Sequence, residues 1–261
     1  MSNTFPTNLK IVAIIQARMG STRLPGKTMA YIGDKPLLAH VIERVRASNI
    51  IDGIIVATTD LSEDLPILEL AAKYGASTYA GSADDVLDRL YQAAKRDAAD
   101  IIVRVTSDDP FKDPEIMDKI IACLIDLPDL DYASNTLDPT YPEGLDIEAF
   151  KFTALERAWL EAKLPSEREH VTPYIWKNPN IFKLASIKHD INLSHLRWTI
   201  DYEDDLCFAR EIYARLSSKG IFFMRDILKI LELEQGLINI NKNFERNLGY
   251  KSSLRNDRNI N

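Results

Sequence analysis

The stretch "IIQARMGSTRLPGKTM", residues 14–29, gathers Arg18, Arg23 and Lys27 in one loop with Gly20, Ser21, Thr22, Pro25 and Gly26. Cations among glycines and small hydroxyls suit a polyanion such as a nucleoside triphosphate. Backbone N–H groups around Gly20, Ser21 and Thr22 can cradle phosphate oxygens while Arg18 and Lys27 neutralise them. Glycine serves there because a side chain would hold the phosphate away from the amides. This is not the usual phosphate loop, which runs Gly, four residues, then Gly-Lys-Ser/Thr straight into a helix. Here five residues, one of them Pro25, separate Gly20 from Gly26, and a second turn at "IGDKP" precedes the next helix. A solvated basic loop is the plain alternative. The position directly after a buried strand favours binding, because ligands of open α/β sheets sit beyond the carboxyl ends of the strands.

Other candidates stand at comparable places. Asp108 follows the apolar run "IIVRVT", so its carboxylate emerges at the same sheet edge; a turn cap before Pro110 is the other reading. Thr58 and Thr59 end "GIIVATT", and Asp60 follows directly. Arg89, four residues after Asp85, fits an exposed helical ion pair as well as a ligand contact. Asp146 and Glu148 alternate along "GLDIEAF" and share a strand face, which either lines a pocket or meets solvent. His170 reads as a structural histidine on a helix.

The elements that must position these residues follow from apolar periodicity. "KIVAIIQA", "GIIVATT" and "DIIVRVT" are continuous Ile/Val-rich runs, as strands covered on both faces require. From Pro36, Leu37, Leu38, Val41, Ile42 and Val45 trace one helical face, with Glu43, Arg44 and Arg46 on the polar side. Further helices are predicted over 66–74, closed by Gly75, over 84–96, and from the Asp113 cap into Pro114. "STYAG" and "DYAS" read as short strands. This alternation predicts an α/β fold with an open, mainly parallel, Rossmann-like sheet.

After about residue 137 the rhythm changes. The segment 138–195 is turn-rich, with helices expected over 153–162 and 167–176 and a strand near "IFKLASI". It reads as an antiparallel and helical insertion forming the second wall of a cleft. "LRWTIDYEDDLCFAREIYARL" returns as a short strand running into an amphipathic helix. Residues 1–238 are thus expected to form a single domain, and 239–261 a polar tail, loose or bound to a partner.

Composition narrows the classes. The 261 residues carry a net charge of −7, which argues against duplex nucleic acid as a partner and requires any anion to be held by a local basic cluster. Cys123 and Cys207 lie in apolar helical patterns and suit a reducing compartment. The start "MSNTFPTNLK" lacks a signal-peptide run and no segment is apolar enough to span a bilayer, so a soluble, cytoplasmic protein is expected.

"QARMGSTRLPGK" resembles the signature of the cytidylyltransferases that activate sugar acids, the CMP-Kdo and CMP-sialic acid synthetases, and is most similar to the SpsF group of spore-coat polysaccharide synthesis. "VATTD", "DRLYQA", "RVTSDDPFKDP", "EGLDIEAF", "EREHVTPYI" and "RWTIDYEDDL" extend the likeness over nearly the whole chain except the tail. The resemblance implies a nucleotidyltransferase that joins CMP from CTP to an acidic sugar or related acceptor, releases pyrophosphate and uses Mg²⁺. It implies Arg18 and Lys27 on the triphosphate, together with Ala17, Gly20, Ser21, Thr22 and Arg23. Asp108 and Asp201 become the metal carboxylates, although Asp201 also fits an N-cap for the following helix. Asp109 either coordinates weakly or is solvated. Thr58, Thr59 and Asp60 fall near the base or ribose. Arg89 matches the arginine on the cytosine side, where a guanidinium can donate to O2 and N3. Asp146 and Glu148 fall on the acceptor side, where an acidic wall also leaves room for a phosphate or phosphonate. A homodimer is implied, with the aromatic-bearing segment 141–176 in the contact.

Two other classes compete. A nucleotide-sugar glycosyltransferase would also pair an α/β sheet with acidic metal ligands, and "SDDP" looks like a D-x-D site, but it has no need of the cationic loop. A catalytically silent assembly partner would have no need of Arg18, Lys27, Asp108 and Asp201 together.

Overall fold

Five apolar residues, Ile11, Val12, Ala13, Ile14 and Ile15, open the sheet, and their alternation decides what packs where. The computed structural model describes residues 9–244 and 246–257. Strand β1 (Ile11–Gln16) is followed by a two-residue hairpin, β2 (Tyr31–Ile32) and β3 (Lys35–Pro36), and by α1 (Leu37–Arg46). Then come β4 (Gly53–Thr59), α2 (Leu65–Lys73), β5 (Ser77–Gly81), α3 (Val86–Arg96), β6 (Ile101–Thr106) and α4 (Pro114–Asp126). The second half holds β7 (Tyr132–Ser134), β8 (Glu148–Lys151), α5 (Phe152–Glu161), α6 (Pro165–His170), α7 (Pro173–Trp176), β9 (Leu184–Ser186), α8 (Glu203–Leu216), α9 (Met224–Leu233) and α10 (Leu248–Asp257).

The seven strands order as β5-β4-β1-β6-β8-β7-β9. The first four run parallel, β8 is antiparallel to both β6 and β7, and β9 is parallel to β7. Both faces are covered. Ala13 and Ile15 join the core beneath α1, α4 and α8, whereas Val12 and Ile14 join the core with α3 and α5. Gln16 is in register with Ala57 and Thr106, so β1, β4 and β6 end along one edge. No helix among the described residues is long and apolar enough to cross a membrane.

Several expectations are revised or made specific. Arg44, placed on the polar side of α1, is 2% exposed; its Nε donates to the Lys112 carbonyl at 2.6 Å and its guanidinium lies 4.6 Å from the Phe222 ring. The helix expected over 167–176 is two, because Val171 has φ 72° and Pro173 has no N–H to continue the ladder. "RWTI" is not a strand: Arg197 makes a single bridge to Glu143 before the chain bends into α8. The segment after residue 137 places β8 directly beside β6, continuous with the main sheet. The tail carries α10, docked on α6, with Ser166 Oγ donating to Asp257 at 2.6 Å and Trp176 packing edge-on to Tyr250. Tyr141 of the expected pairing segment is itself buried.

Candidate active site

The loop after β1 closes on itself. Met19 O accepts from Ser21 N at 2.8 Å and Gly26 N at 3.2 Å, and Thr28 Oγ1 donates to Arg18 O at 3.0 Å. Gly26 takes φ 70°, which glycine adopts without steric cost, and starts the short 3₁₀ turn Lys27–Met29. The Ser21 amide is therefore committed to the loop itself, and the Ser21 hydroxyl holds Leu24 N at 3.4 Å. Gly20 and Thr22 lie at the exposed crest. Ala17 continues the β1–β4 ladder through its N–H to Ala57 O.

The turn aims Lys27 inward. Its ammonium, on a residue 8% exposed, donates to Asp108 Oδ2 at 2.8 Å, Asp201 Oδ1 at 2.8 Å and Ile200 O at 2.7 Å. All three protons are used. The backbone sets this meeting, because Ile200 N donates to Asp108 O at 2.9 Å and so ties the end of β6 to the segment before α8. Arg23 adds a contact to Asp201 Oδ1 at 2.5 Å. Burial would raise the Asp108 and Asp201 pKa values, but Lys27 outweighs it at both, and with Arg23 brings Asp201 down to about 2. Burial opposes the charge of Lys27, yet the two carboxylates raise its pKa. Asp201 does not cap α8; Asp205 Oδ2 accepts from the Asp201 and Tyr202 amides at 2.9 and 3.0 Å.

The other two cations are unneutralised. Arg18 is exposed and forms no salt bridge among the described residues. Arg89 is 3% exposed, and only Nη1 bonds, to Ser82 O at 2.8 Å; Nε is buried without a partner among the described residues. Asp85, the partner in the alternative helical ion pair, is taken by Arg168 at 2.5 Å. Burial first, then the Arg18 charge, lowers the Arg89 pKa. Thr58 Oγ1, at the end of β4, is likewise buried and unpartnered among the described residues. Arg18 is near enough to Arg89 for the two charges to repel, and an anion between them would relieve both. Thr59 is committed to Asp64 through its hydroxyl, and Asp60 is exposed with its N–H on Gly81 O.

Across the sheet the carboxylates are matched by arginines. Glu148, at the start of β8, meets Arg104 and accepts from Tyr132 Oη at 2.7 Å and Thr172 Oγ1 at 2.5 Å. Burial would raise its pKa, but Arg104 and these hydroxyls hold it below the ordinary value. Asp146 lies just before the strand and pairs with Arg246 at 2.5 Å; burial raises its pKa, and Glu148 is close enough for its charge to raise it further. Asp109 accepts from Thr106 at 2.6 Å and from fully buried Lys112 at 2.7 Å, which makes it a structural ion pair rather than a solvated group. His170 bonds Ser253 at 3.0 Å, and burial, reinforced by Arg104, lowers its pKa to about 4.

Sequence reading missed Asp64, which is 1% exposed and receives Met19 N at 2.6 Å, fastening the loop to β4. It also missed Arg197 and Arg246, whose partners lie far along the chain or carry no periodic signal. A cavity of about 630 Å³ lies elsewhere, lined by residues such as His189, Leu193, Leu228 and Ile238. It holds none of these ionisable groups; unmatched charge, not volume, marks the site. Among the described residues no cluster of three or more His, Cys, Asp or Glu could cage a metal. Two carboxylates sharing one cation nevertheless fit a hard dication, which takes few carboxylates and completes its shell with water and phosphate oxygens.

Comparison with known proteins shows the family. The family model described as Cytidylyltransferase matches residues 12–240. An uncharacterized protein of Methanocaldococcus jannaschii is 40% identical over 237 residues, covering 90% of this chain and 96% of that protein. The spore coat polysaccharide biosynthesis protein SpsF of Bacillus subtilis is 30% identical over 229 residues, 85% of this chain and 93% of its own. A cytidylyltransferase structure from Leptospira borgpetersenii superposes with a TM-score of 0.85 at 34% identity, covering 91% of this chain and 99% of that one. The chain belongs to the cytidylyltransferase family and is a nucleotidyltransferase.

Proposed function

We propose that this cytidylyltransferase joins CMP to an acidic, sugar-acid-like acceptor for surface polysaccharide or glycoconjugate synthesis. An acceptor oxygen forms a bond to the α-phosphorus of CTP, the bond to the β-phosphate oxygen breaks, and pyrophosphate leaves. The observation that carries the reading is the juxtaposition of Lys27, Asp108 and Asp201 with Arg18 and Arg89, two cations without carboxylate partners among the described residues.

In this reading Arg18 and the loop around Gly20 and Thr22 bind phosphate oxygens, and Arg89 with Thr58 reads the cytosine. Arg23 and Lys27 hold the two carboxylates and face the leaving group. Asp108 and Asp201 would hold Mg²⁺, which when bound supplies charge neutralisation to the triphosphate. An acidic acceptor is supported by the wall opposite, where Arg246 and Arg104 neutralise Asp146 and Glu148 and lift the repulsion that bare carboxylates would impose. The Bacillus relative, a spore coat polysaccharide biosynthesis protein, supports the same class.

The test is pyrophosphate release from CTP and Mg²⁺ across a panel of sugar acids, phosphates and phosphonates. Release with a sugar acid is the expected result. Release only with a phosphate or phosphonate would replace the acceptor assignment. A homodimer belongs to the same proposal, and light scattering that gives a monomer at micromolar concentration would remove it.

A further inference from the structure

Asp201 is held through its second carboxylate oxygen by a residue other than the cations already described. Arg197, 7% exposed, grips Asp205 with a two-point fork, Nε to Oδ1 at 2.9 Å and Nη2 to Oδ2 at 3.0 Å. The same Nη2 reaches Asp201 Oδ2 at 3.3 Å. Asp205 Oδ2 in turn receives the Asp201 amide. One guanidinium therefore fixes Asp201 twice, through its free carboxylate oxygen and through its backbone.

The far side of Arg197 is anchored as well. Nη1 donates to Glu143 at 2.8 Å, and Asn241 Nδ2 donates both to Arg197 O and to Asp205 Oδ1 at 2.9 Å. Phe244 stacks on Tyr202 at 4.1 Å and lies 5.5 Å from the Arg197 guanidinium. The close pass of residues 143–144 over 198–199 needs Gly144, whose φ is 102° and whose added Cβ would sit 2.7 Å from Thr199 N. These supports come from three distant parts of the chain and converge on one carboxylate.

We propose that Arg197 is a positioning residue for Asp201, keeping its Oδ1 turned toward Lys27 and toward the metal that Asp201 would share with Asp108. The inference rests on the metal-carboxylate reading given above. The planar fork is what lysine cannot reproduce, so Arg197→Lys retains the charge and loses the geometry.

The experiment titrates Mn²⁺ alone, and Mn²⁺ with CTP, into the full chain by electron paramagnetic resonance, alongside steady-state kinetics and amide hydrogen exchange. In Arg197→Lys, Mn²⁺ affinity should weaken about 10–100-fold, the range seen when a partner of a metal ligand is lost. kcat should fall by a similar factor while KM for CTP changes little, and the Asp201 and Tyr202 amides should exchange faster. A lower melting temperature with unchanged Mn²⁺ affinity and unchanged kcat would overturn the proposal, because packing alone gives that pattern. Should Arg197→Lys fail to fold, Asn241→Ala decides: weakened Mn²⁺ binding supports the role and wild-type binding overturns it. Absence of Mn²⁺ binding in the wild-type chain would instead sink the metal reading itself, and the amide exchange would still show whether Arg197 anchors the segment.

Discussion

The parallel half of the sheet and the half added after β6 handle charge in opposite ways. At the ends of β1, β4 and β6, Arg18 and Arg89 have no carboxylate partner among the described residues, and Thr58 Oγ1 is buried unbonded. Around β8 both carboxylates proposed for the acceptor side meet an arginine, Glu148 with Arg104 and Asp146 with Arg246, and neighbouring Glu143 meets Arg197. An unpaired buried cation is costly unless a ligand completes it. A matched pair holds its wall in place without a ligand. The contrast is one of ion pairing alone, because Arg246 Nε and Tyr250 Oη in the second half are also buried without a partner among the described residues.

The hardest blow to this contrast falls where the halves touch. Asp108→Asn and Asp201→Asn keep shape but remove a hard anionic ligand, and turnover should fall on the order of 10²–10³-fold with the fold intact by circular dichroism. Near-normal turnover with lowered stability would make both carboxylates structural. Asp201 also carries a pH signature. Its folded pKa of about 2 lies below the unfolded value of about 3.9, so its stability contribution is present above that value and lost as pH falls through about 2. The stability curves of wild type and Asp201→Asn should converge on acidification.

Next come the unpaired cations. Arg89→Met should weaken CTP binding by about 1.5–3 kcal/mol, on the order of 10–100-fold by calorimetry, yet raise the melting temperature of the unliganded protein by about 2–4 °C. Arg18→Ala should cost similar affinity with no change in melting. A fall in unliganded stability at Arg89 with unaltered affinity would move it into the structural class. Gly144→Ala tests the other half and should destabilise by about 1–3 kcal/mol in denaturant titration, since the conformation and the contact with residues 198–199 both oppose a side chain.

The smallest expected effect is at His170. With a folded pKa of about 4 against 6.5, the unfolded chain binds more protons between those values, so stability rises with pH across that window. His170→Gln should flatten that slope and leave the pH–rate profile above pH 6.5 unchanged. A shifted rate profile would give the histidine a chemical role.

Apolar runs determined much of this protein. "KIVAIIQA", "GIIVATT" and "DIIVRVT" could only be strands buried on both faces, and that fixed the parallel sheet and the edge where Lys27 and Asp108 emerge. The Asp113–Pro114 cap was legible for the same local reason; its carboxylate accepts Glu115 N at 2.9 Å. Family motifs carried Asp201 to the same place, although the strand expected to deliver it is a bend. What the sequence left open were partnerships over long separations. Asp85 stood at helical spacing from Arg89, yet Arg168 takes it. Asp146 and Glu148 looked like one acidic face, yet Arg246 and Arg104 divide them. Periodicity reports which side of an element is apolar. It carries no information on which of several cations, scores of residues away, will arrive opposite a given carboxylate. Only the closed tertiary structure sets those distances, and with them which charges are paired within the chain.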